Sequence, residues 1–258
     1  MKQLVVNNAS LALAFMLVLV AMIISTKEKL HLAKDIIYSI IRAVIQLTII
    51  GYVLKYIFQL NNAWLTILMC LLIVVNASWN AYKRNPNAHH HFREYLETFL
   101  ALFISTFVTL GLIILSGSLK LIPSQIIPIT GMIAGNSMVA VGLCYRALNS
   151  QFRDQRQQIL EKLALGAEIK TASLPILRES IKTAMQPTID QAKTVGLVNL
   201  PGMMSGLIFA GVDPVRAIRY QILITFMLLS TTSLGAIIAG YQAYRHYFNS
   251  QQQLTESD

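Results

Sequence analysis

Residues 11–24 have the sequence LALAFMLVLVAMII, an apolar stretch without a single charged side chain. Similar stretches, each about 20 residues long, recur along the chain, and an α-helix of that length crosses the roughly 30 Å of hydrocarbon in a bilayer. Over the whole sequence 55% of the residues are hydrophobic and 13% are charged, whereas a soluble domain has charge on about a quarter of its residues. The sequence therefore predicts an all-α, polytopic membrane protein.

Seven apolar segments predict about seven transmembrane helices in a single domain that covers residues 1–258. The segments lie at about 9–26, 35–58, 63–82, 95–116, 124–146, 195–212 and 217–243. The sixth segment, 195–212, is short and is interrupted by Gly196, Pro201 and Gly202. Because irregular backbone is tolerated in a membrane only inside the protein, this segment either spans the bilayer or folds back within it.

The distribution of lysine and arginine predicts the orientation of the chain. With the N-terminus outside, the cytoplasmic side receives 15 cationic residues and the exterior receives five, while Arg42 lies within the membrane. Basic residues are retained on the cytoplasmic side, so we expect a multi-pass protein of the inner (plasma) membrane with a cytoplasmic C-terminus. The net charge of +9 then reflects topology and contact with membrane lipid, and we expect no nucleic-acid partner.

One connection, at about 147–194, is far longer than the usual loop between helices and has helical periodicity. Its apolar positions predict two amphipathic helices on the cytoplasmic face, separated by Gly166. Such a pair either docks into a groove on a cytoplasmic partner or lies on the membrane surface with its basic face toward anionic lipid. The break at Gly166 favours docking, because a bent pair of helices forms a rigid projection.

Several catalytic motifs are absent from the sequence. It contains no Gly-x-x-x-x-Gly-Lys-Ser/Thr loop for ATP phosphates, no Gly-x-Ser-x-Gly and no His-Glu-x-x-His. We therefore expect no enzymatic activity, no catalytic residue and no cofactor in this chain. Cys70 and Cys144 lie inside apolar segments, which favours reduced packing residues over a disulfide.

Three motifs resemble a known family of permeases. They are RAVIQL at 42–47, GMIAGNSM at 131–138 and KTVGLVNLPGMMSG at 193–206, and the match continues through Asp213-Pro214 and Arg219-Tyr220-Gln221. The chain resembles the Fet-type (FetB/YbbM-like) permeases, metal exporters of the ATP-binding-cassette (ABC) class, and it is similar to plant aluminium-tolerance half-transporters. The resemblance covers most of the chain.

The resemblance implies a half-transporter, in which this permease domain pairs with a separate cytoplasmic ABC ATPase, with two copies of each. ATP would bind to that partner, and the cargo would be a metal, with iron as the expected substrate. The sequence LALGA at 163–167 resembles the coupling loop that grips the ATPase, so the candidate coupling residues are Glu161, Leu163, Gly166 and Ala167. The family's acidic residue would fall at Leu160, whereas this chain has its glutamate one position later.

Polar side chains within the apolar segments are candidates for a substrate pathway. Arg42 is costly at mid-bilayer unless it is paired or hydrated, and Gln46 shares its helix face one turn later. These two residues either line the pathway or lock helices together. The alternative is that Arg42 extends its long side chain to the interface and only sets topology.

The fifth and sixth segments supply further candidates for the pathway, which are Asn136, Ser137, Met138, Met203 and Met204. Thioethers are soft metal ligands, and broken helices expose backbone carbonyls where they line a cavity. A pathway where the two segments meet is one interpretation. The other is that small residues allow close packing of helices while methionine fills the gaps.

His89, His90 and His91 form a polar stretch beside Asn87. Consecutive side chains cannot all face one ion, so we interpret the stretch as a cytoplasmic turn or, at most, a weak metal-delivery patch. The sequence assigns no metal site.

Two other functions are compatible with the sequence. One is a secondary transporter driven by an ion gradient, and the other is a membrane scaffold that recruits a cytoplasmic protein through 147–194. Against the first, Glu94 and Glu97 lie near the cytoplasmic start of the fourth segment and not deep within it. Co-purification with an ATPase separates both from the permease hypothesis.

Overall fold

A computed structural model of the chain describes residues 8–60, 62–86, 92–249 and 251–255. Within these residues the backbone forms nine α-helices and one short 3-10 helix, with no β-strand. The α-helices are α1 (Asn8–Lys27), α2 (Ala33–Leu60), α3 (Ala63–Tyr82), α4 (Phe92–Leu115), α5 (Pro123–Asp154), α6 (Arg156–Ala164), α7 (Ile169–Thr194), α8 (Gly202–Phe209) and α9 (Pro214–Ala243), and the 3-10 helix is Tyr244–Tyr247. The predicted all-α fold is confirmed.

Five of the described helices are long and apolar enough to cross a membrane, and these are α2, α3, α4, α5 and α9. The first helix, α1, contributes a shorter apolar stretch, Leu13–Lys27. The chain is thus a multi-pass membrane protein, as predicted. Length and apolarity alone support five crossings and leave the predicted number of seven unconfirmed.

The sixth predicted segment, 195–212, does not form one continuous helix. Its helical part is α8, whose eight residues rise only about 12 Å, well short of the roughly 30 Å of hydrocarbon. The chain turns before α8 at Gly196 and after it at Gly211, both with a φ of +87°. Left-handed backbone of this kind ends a helix and is readily adopted by glycine. Of the two alternatives for 195–212, the structure does not form a single helix long enough to span.

The described structure falls into two compact units, one built from α1 and α2 and the other from all later helices. In the first unit, the Ser25 hydroxyl accepts a hydrogen bond from the Leu32 N–H at 3.1 Å and stabilises the turn between the two helices. Large apolar side chains on both helices are exposed, among them Leu17, Leu47 and Tyr52. Surfaces of this kind need lipid or another protein surface around them.

The second unit is a bundle in which α5 packs against α3, α4, α7 and α9. Hydroxyl groups fix the register of α4 on α5: Thr98 bonds to Tyr145 at 2.9 Å, and Ser105 bonds to Ser137 at 3.0 Å. The residue order in these two pairs shows that α4 runs antiparallel to α5. Hydrogen bonds between membrane helices contribute about 0.6 kcal/mol each on average, so these bonds specify register more than they stabilise the bundle.

The last long helix, α9, runs parallel to α5, and two glycines permit the contact. A Cβ on Gly235 would lie 2.3 Å from the Ser137 hydroxyl oxygen, and a Cβ on Gly240 would lie 3.3 Å from the Cys144 sulfur. Residue numbers rise together in the two pairs, so the helices have the same direction. Close approach through small residues is a typical way for membrane helices to pack.

Helix α7 also lies in this bundle and runs antiparallel to α9. Near its start, Leu177 faces Gly240, where an added Cβ would lie 3.0 Å from the leucine side chain. Near its end, Ala192 and Thr225 line the same small cavity. The buried face of α7 consists of small and apolar residues, which are Ala172, Ser173, Ile176, Leu177, Ser180 and Ala184.

The region 147–194 contains the end of α5 and two further helices. Helix α5 continues to Asp154, and two amphipathic helices follow on either side of Gly166, as predicted. Only α6 is a short helix at the end of the bundle. Helix α7 packs closely against α5 and α9 through its face of small side chains, and its predicted cytoplasmic position stays a prediction.

We expect Gly235→Val to destabilise the bundle, because its side chain would displace the Ser137 hydroxyl from its bond with Ser105. Overpacking of this kind costs about 1–3 kcal/mol. The matched control is Gly111→Val on α4, where an added Cβ meets no atom within 4 Å. The melting temperature of the detergent-solubilised protein measures the difference. Equal melting temperatures for the two variants would show that the contact between α5 and α9 is not tight.

Candidate functional site

A cavity of about 610 Å³ lies at the end of the bundle where α8 packs against α9. Its walls come from the start of α5, from α8 and from the first half of α9, with Ile113 near the end of α4 at one side. The turns at Gly196 and Gly211 place α8 there, because they reverse the chain on both flanks of the short helix.

The start of α9 is fixed by its capping residues. The Asp213 carboxylate accepts a hydrogen bond from the Arg216 N–H at 3.2 Å, and Pro214 occupies the first turn, where its missing N–H costs nothing. Arg216, Tyr220 and Met227 follow at intervals of four and seven residues, so they share one helix face and all line the cavity.

Three methionines on different helices line this cavity: Met132 of α5, Met203 of α8 and Met227 of α9. We call them the methionine set. Gln125 and Arg216 supply polar groups to an otherwise mainly apolar wall. Thioether sulfur is polarisable and accepts soft cations, while the guanidinium favours an anionic group. The cavity therefore suits a ligand that combines a soft or apolar part with negative charge.

The structure places one of the five residues predicted from the fifth and sixth segments at this cavity, and this residue is Met203. Its neighbour Met204 is buried. The amide of Asn136 donates to the Met132 carbonyl at 2.8 Å, which puts it one turn along α5 from the cavity wall.

The remaining two predicted residues of α5 face the interior of the bundle. Ser137 is fully buried and bonded to Ser105, and Met138 packs against the hydrophobic core. The positions of both residues agree with the interpretation that these motifs serve close packing of helices. The position of Met203 agrees with the other interpretation, in which a pathway lies where α5 and α8 meet.

Arg42 and Gln46 lie at exposed positions of α2, in the first unit. Their spacing of four residues puts them on one helix face. Their predicted role in a pathway stays a prediction.

Sequence analysis missed Met132 and Met227 as cavity residues. The spacing within each helix indicates which residues share a face. Pro128 and Met132 are four residues apart, and Tyr220, Ile224 and Met227 follow a helical period. What the sequence could not supply was the alignment of α5 with α9, which depends on the close contact at Gly235.

The opposite end of the bundle contains α6. Ile159 of α6 is fully buried, and the Arg156 guanidinium donates to the Thr255 carbonyl at 2.8 Å. These contacts hold α6 against the ends of the longer helices. The hydrophilic residues Gln157 and Glu161 remain exposed and bond to each other at 3.0 Å.

The predicted coupling residues occupy α6 and the turn that follows it. Leu163 and Ala167 are half-buried against the hydrophobic core. Gly166 has a φ of +87°, so the chain turns at this residue between α6 and α7. Glu161 is exposed. Sequence analysis missed Leu165, which is 88% exposed at the tip of the turn.

A second cavity, of about 680 Å³, lies between the start of α4 and the end of α9. Glu97 in its wall bonds to His246 at 2.6 Å and to Arg93 at 3.3 Å. Gln242 and Arg245 also line this cavity. The arrangement places a carboxylate beside a histidine and an arginine, in a wall that also includes Ile237, Ile238 and Phe248.

Among the residues that the structure describes, no three His, Cys, Asp or Glu side chains are placed to hold a metal ion. The predicted patch at His89, His90 and His91 lies outside the described residues, so its role stays a prediction. The methionine set offers only thioether ligands.

Residues 8–248 match the model of the uncharacterised protein family UPF0014. The chain belongs to this family. Over 249 residues it is 58% identical to a protein of Escherichia coli (strain K12) named probable iron export permease protein FetB, and the match covers 96% of this chain and 95% of the relative. The predicted resemblance to Fet-type permeases is confirmed.

More distant relatives match over most of their length as well. The UPF0014 membrane protein YjkA of Bacillus subtilis (strain 168) is 39% identical over 96% of this chain and 98% of its own. The Arabidopsis thaliana protein ALUMINUM SENSITIVE 3 is 33% identical over 94% of this chain and 88% of its own, as the expected resemblance to plant proteins requires. No solved structure matches the chain.

Proposed function

We propose that this chain is the permease subunit of an ABC exporter and forms the pathway for iron, while a separate subunit hydrolyses ATP. The observation that carries the proposal is the 58% identity to a probable iron export permease over nearly the whole of both chains. Cavities at both ends of the helical bundle support a transport role, because a permease needs access from each side of the membrane.

The proposed partner is a cytoplasmic ABC ATPase. The sequence has no phosphate-binding loop, so ATP binds to the partner and this chain needs no cofactor. Leu165 offers an exposed apolar side chain between two helices, and a helix pair with an apolar tip suits a hydrophobic groove. Two permease copies and two ATPase copies form the complete exporter, as the resemblance to half-transporters implies.

Short connections join α6 to the neighbouring helices, and we propose that they transmit its movement. Gln155 alone separates α5 from α6, and residues 165–168 separate α6 from α7. Ile159 is buried and Leu163 is half-buried, so α6 cannot move without its neighbours. A displacement of α6 by the ATPase therefore shifts α5 and α7 together and biases the permease between inward-open and outward-open states.

The end of the bundle that contains α6 faces the cytoplasm in this proposal. Basic residues at the ends of the helices there include Arg84, Arg93, Arg153 and Arg245, in agreement with the retention of positive charge on the cytoplasmic side. The N-terminus is then outside, the C-terminus is cytoplasmic, and the protein resides in the inner membrane.

The cargo pathway passes the cavity beside α8. The methionine set contacts the metal through sulfur, and Asn136, one turn away on α5, contributes a polar group. Ser137 and Met204 are buried, so they position the helices and do not touch the cargo. The predicted roles of Met138, Arg42 and Gln46 in the pathway stay predictions.

We expect Leu165→Asp to weaken binding of the ATPase, because a carboxylate at the tip of the turn cannot enter a hydrophobic groove without losing its hydration. Leu197→Asp is the matched control, since Leu197 is 90% exposed in the turn before α8. Affinity purification of the permease with its ATPase measures the effect, and at least a tenfold loss of ATPase is expected for Leu165→Asp alone. Equal recovery of the ATPase by both variants would refute the docking role of this turn.

We expect the triple variant Met132→Leu, Met203→Leu, Met227→Leu to lose iron export while it keeps its fold and its ATPase. Exchange of methionine for leucine conserves volume and usually costs less than about 1.5 kcal/mol per site, whereas it removes the sulfur ligands. Met185→Leu, at a half-buried packing position on α7, is the control. The measurement is the iron content of cells that carry each variant. Full export by the triple variant would show that the thioethers do not bind the cargo.

A further inference from the structure

The direction of the helices around α7 requires a return crossing of the membrane. Both α5 and α9 are long enough to span, and they run parallel. The chain between them must therefore cross the bilayer once in the opposite direction. With eight residues α8 is too short, whereas α7 has 26 residues and rises about 39 Å.

The register between α7 and α9 places α7 at membrane depth. Leu177 lies beside Gly240, and Ala192 lines the same small cavity as Thr225. Leu177 and Ala192 are 15 residues apart in α7, and Thr225 and Gly240 are 15 residues apart in α9, so the two stretches have the same length of about 22 Å. The sequence of α9 contains no charged residue between Arg219 and Arg245. This part of α7 therefore lies beside the uncharged, membrane-embedded part of α9.

The exposed face of α7 is polar at this depth. Arg178, Glu179 and Lys182 are exposed in its first half, and Gln186 and Asp190 are exposed in its second half. Glu179 and Lys182 form an exposed ion pair at 3.5 Å, so both ends of the pair are accessible from outside the bundle.

Other spans of the same unit expose apolar side chains at comparable depth. Ile104 of α4 precedes Ser105, which bonds to Ser137 beside Gly235. Phe226 of α9 is adjacent to Thr225. Both Ile104 and Phe226 are exposed, as expected for side chains that face lipid. Ionised side chains in a bilayer face a bundle interior or a water-filled cavity, because hydrocarbon cannot solvate them.

Two prolines add a second observation. Pro175 and Pro187 lie within α7 at exposed positions. Because proline has no N–H, the carbonyls four residues earlier, at Thr171 and Thr183, lose their helical donors. A backbone carbonyl at membrane depth needs another polar partner, and non-helical hydrogen bonding is tolerated where water fills a cavity. The exposed face of α7 thus presents charged side chains and, at Thr183, a backbone carbonyl without its helical N–H donor.

We propose that α7 crosses the membrane and that its exposed polar face lines the water-filled pathway of the exporter. The pathway assignment rests on the proposed function, whereas the crossing and its hydration do not. With α7 in place of segment 195–212, the seven crossings are α1 to α5, α7 and α9. A hydrated or chelated metal can pass such a face, because the positive and negative side chains of the face neutralise one another.

The first test measures water access in membrane vesicles that contain the full chain. Thr183→Cys and Gln186→Cys are treated with a membrane-impermeant maleimide, and Ile104→Cys and Phe226→Cys are the lipid-facing controls. The wild-type chain is the blank, since Cys70 and Cys144 are buried. We expect labelling of the α7 positions at least tenfold faster than that of the controls. Slow labelling of both α7 positions would place this face in lipid or in a dry interface and overturn the proposal.

The second test measures the passage of cargo. Gln186→Trp fills the pathway, and we expect it to reduce iron export at least tenfold, while Phe226→Trp, which faces lipid, exports normally. Unchanged export by Gln186→Trp would overturn the assignment of the pathway. If the wild-type chain itself exports no iron while the α7 positions label rapidly, the proposed function fails and the hydration of this face stands.

Discussion

The close approach of α9 to α5 at Gly235 is the contact on which the architecture of the second unit depends. A Cβ at this position would lie 2.3 Å from the Ser137 hydroxyl oxygen, which is itself bonded to Ser105 of α4. Three helices therefore meet at one level without a large side chain between them. The order of the close contacts at Gly235 and Gly240 shows that α5 and α9 are parallel, and this direction requires the chain between them to return across the bundle.

The returning helix, α7, shows how a membrane protein can embed a helix of low mean hydropathy. Its inner face uses small residues, among them Ala172, Ser180 and Ala184, which allow close contact with α5 and α9. Within a bilayer such contact comes from packing and not from the exclusion of water, since lipid is as apolar as a helix surface. The polar residues remain on the outer face, where the proposed pathway supplies water.

Composition predicted much of the fold, because uncharged segments of about 20 residues have few alternatives to membrane helices. The amphipathic pair around Gly166 was also predictable from its periodicity. The depth of α7 was not, since Arg178, Glu179 and Lys182 lower its mean hydropathy and only the register with Gly240 reveals its place. At 195–212 the sequence left a spanning and a re-entrant segment open, and the left-handed turns at Gly196 and Gly211 lie on either side of an α8 of only eight residues. Met203 could be predicted as a site residue, but its neighbours Met132 and Met227 come from distant parts of the sequence.

The central claim is that α7 carries the chain from one side of the membrane to the other. Leu165 precedes α7 and Leu197 follows it, and both side chains are almost fully exposed. Single cysteines at these two positions can be labelled with an impermeant thiol reagent in right-side-out and in inverted vesicles. The account predicts that Leu165→Cys reacts only in inverted vesicles and Leu197→Cys only in right-side-out vesicles. Reaction of both cysteines from the same side would contradict it.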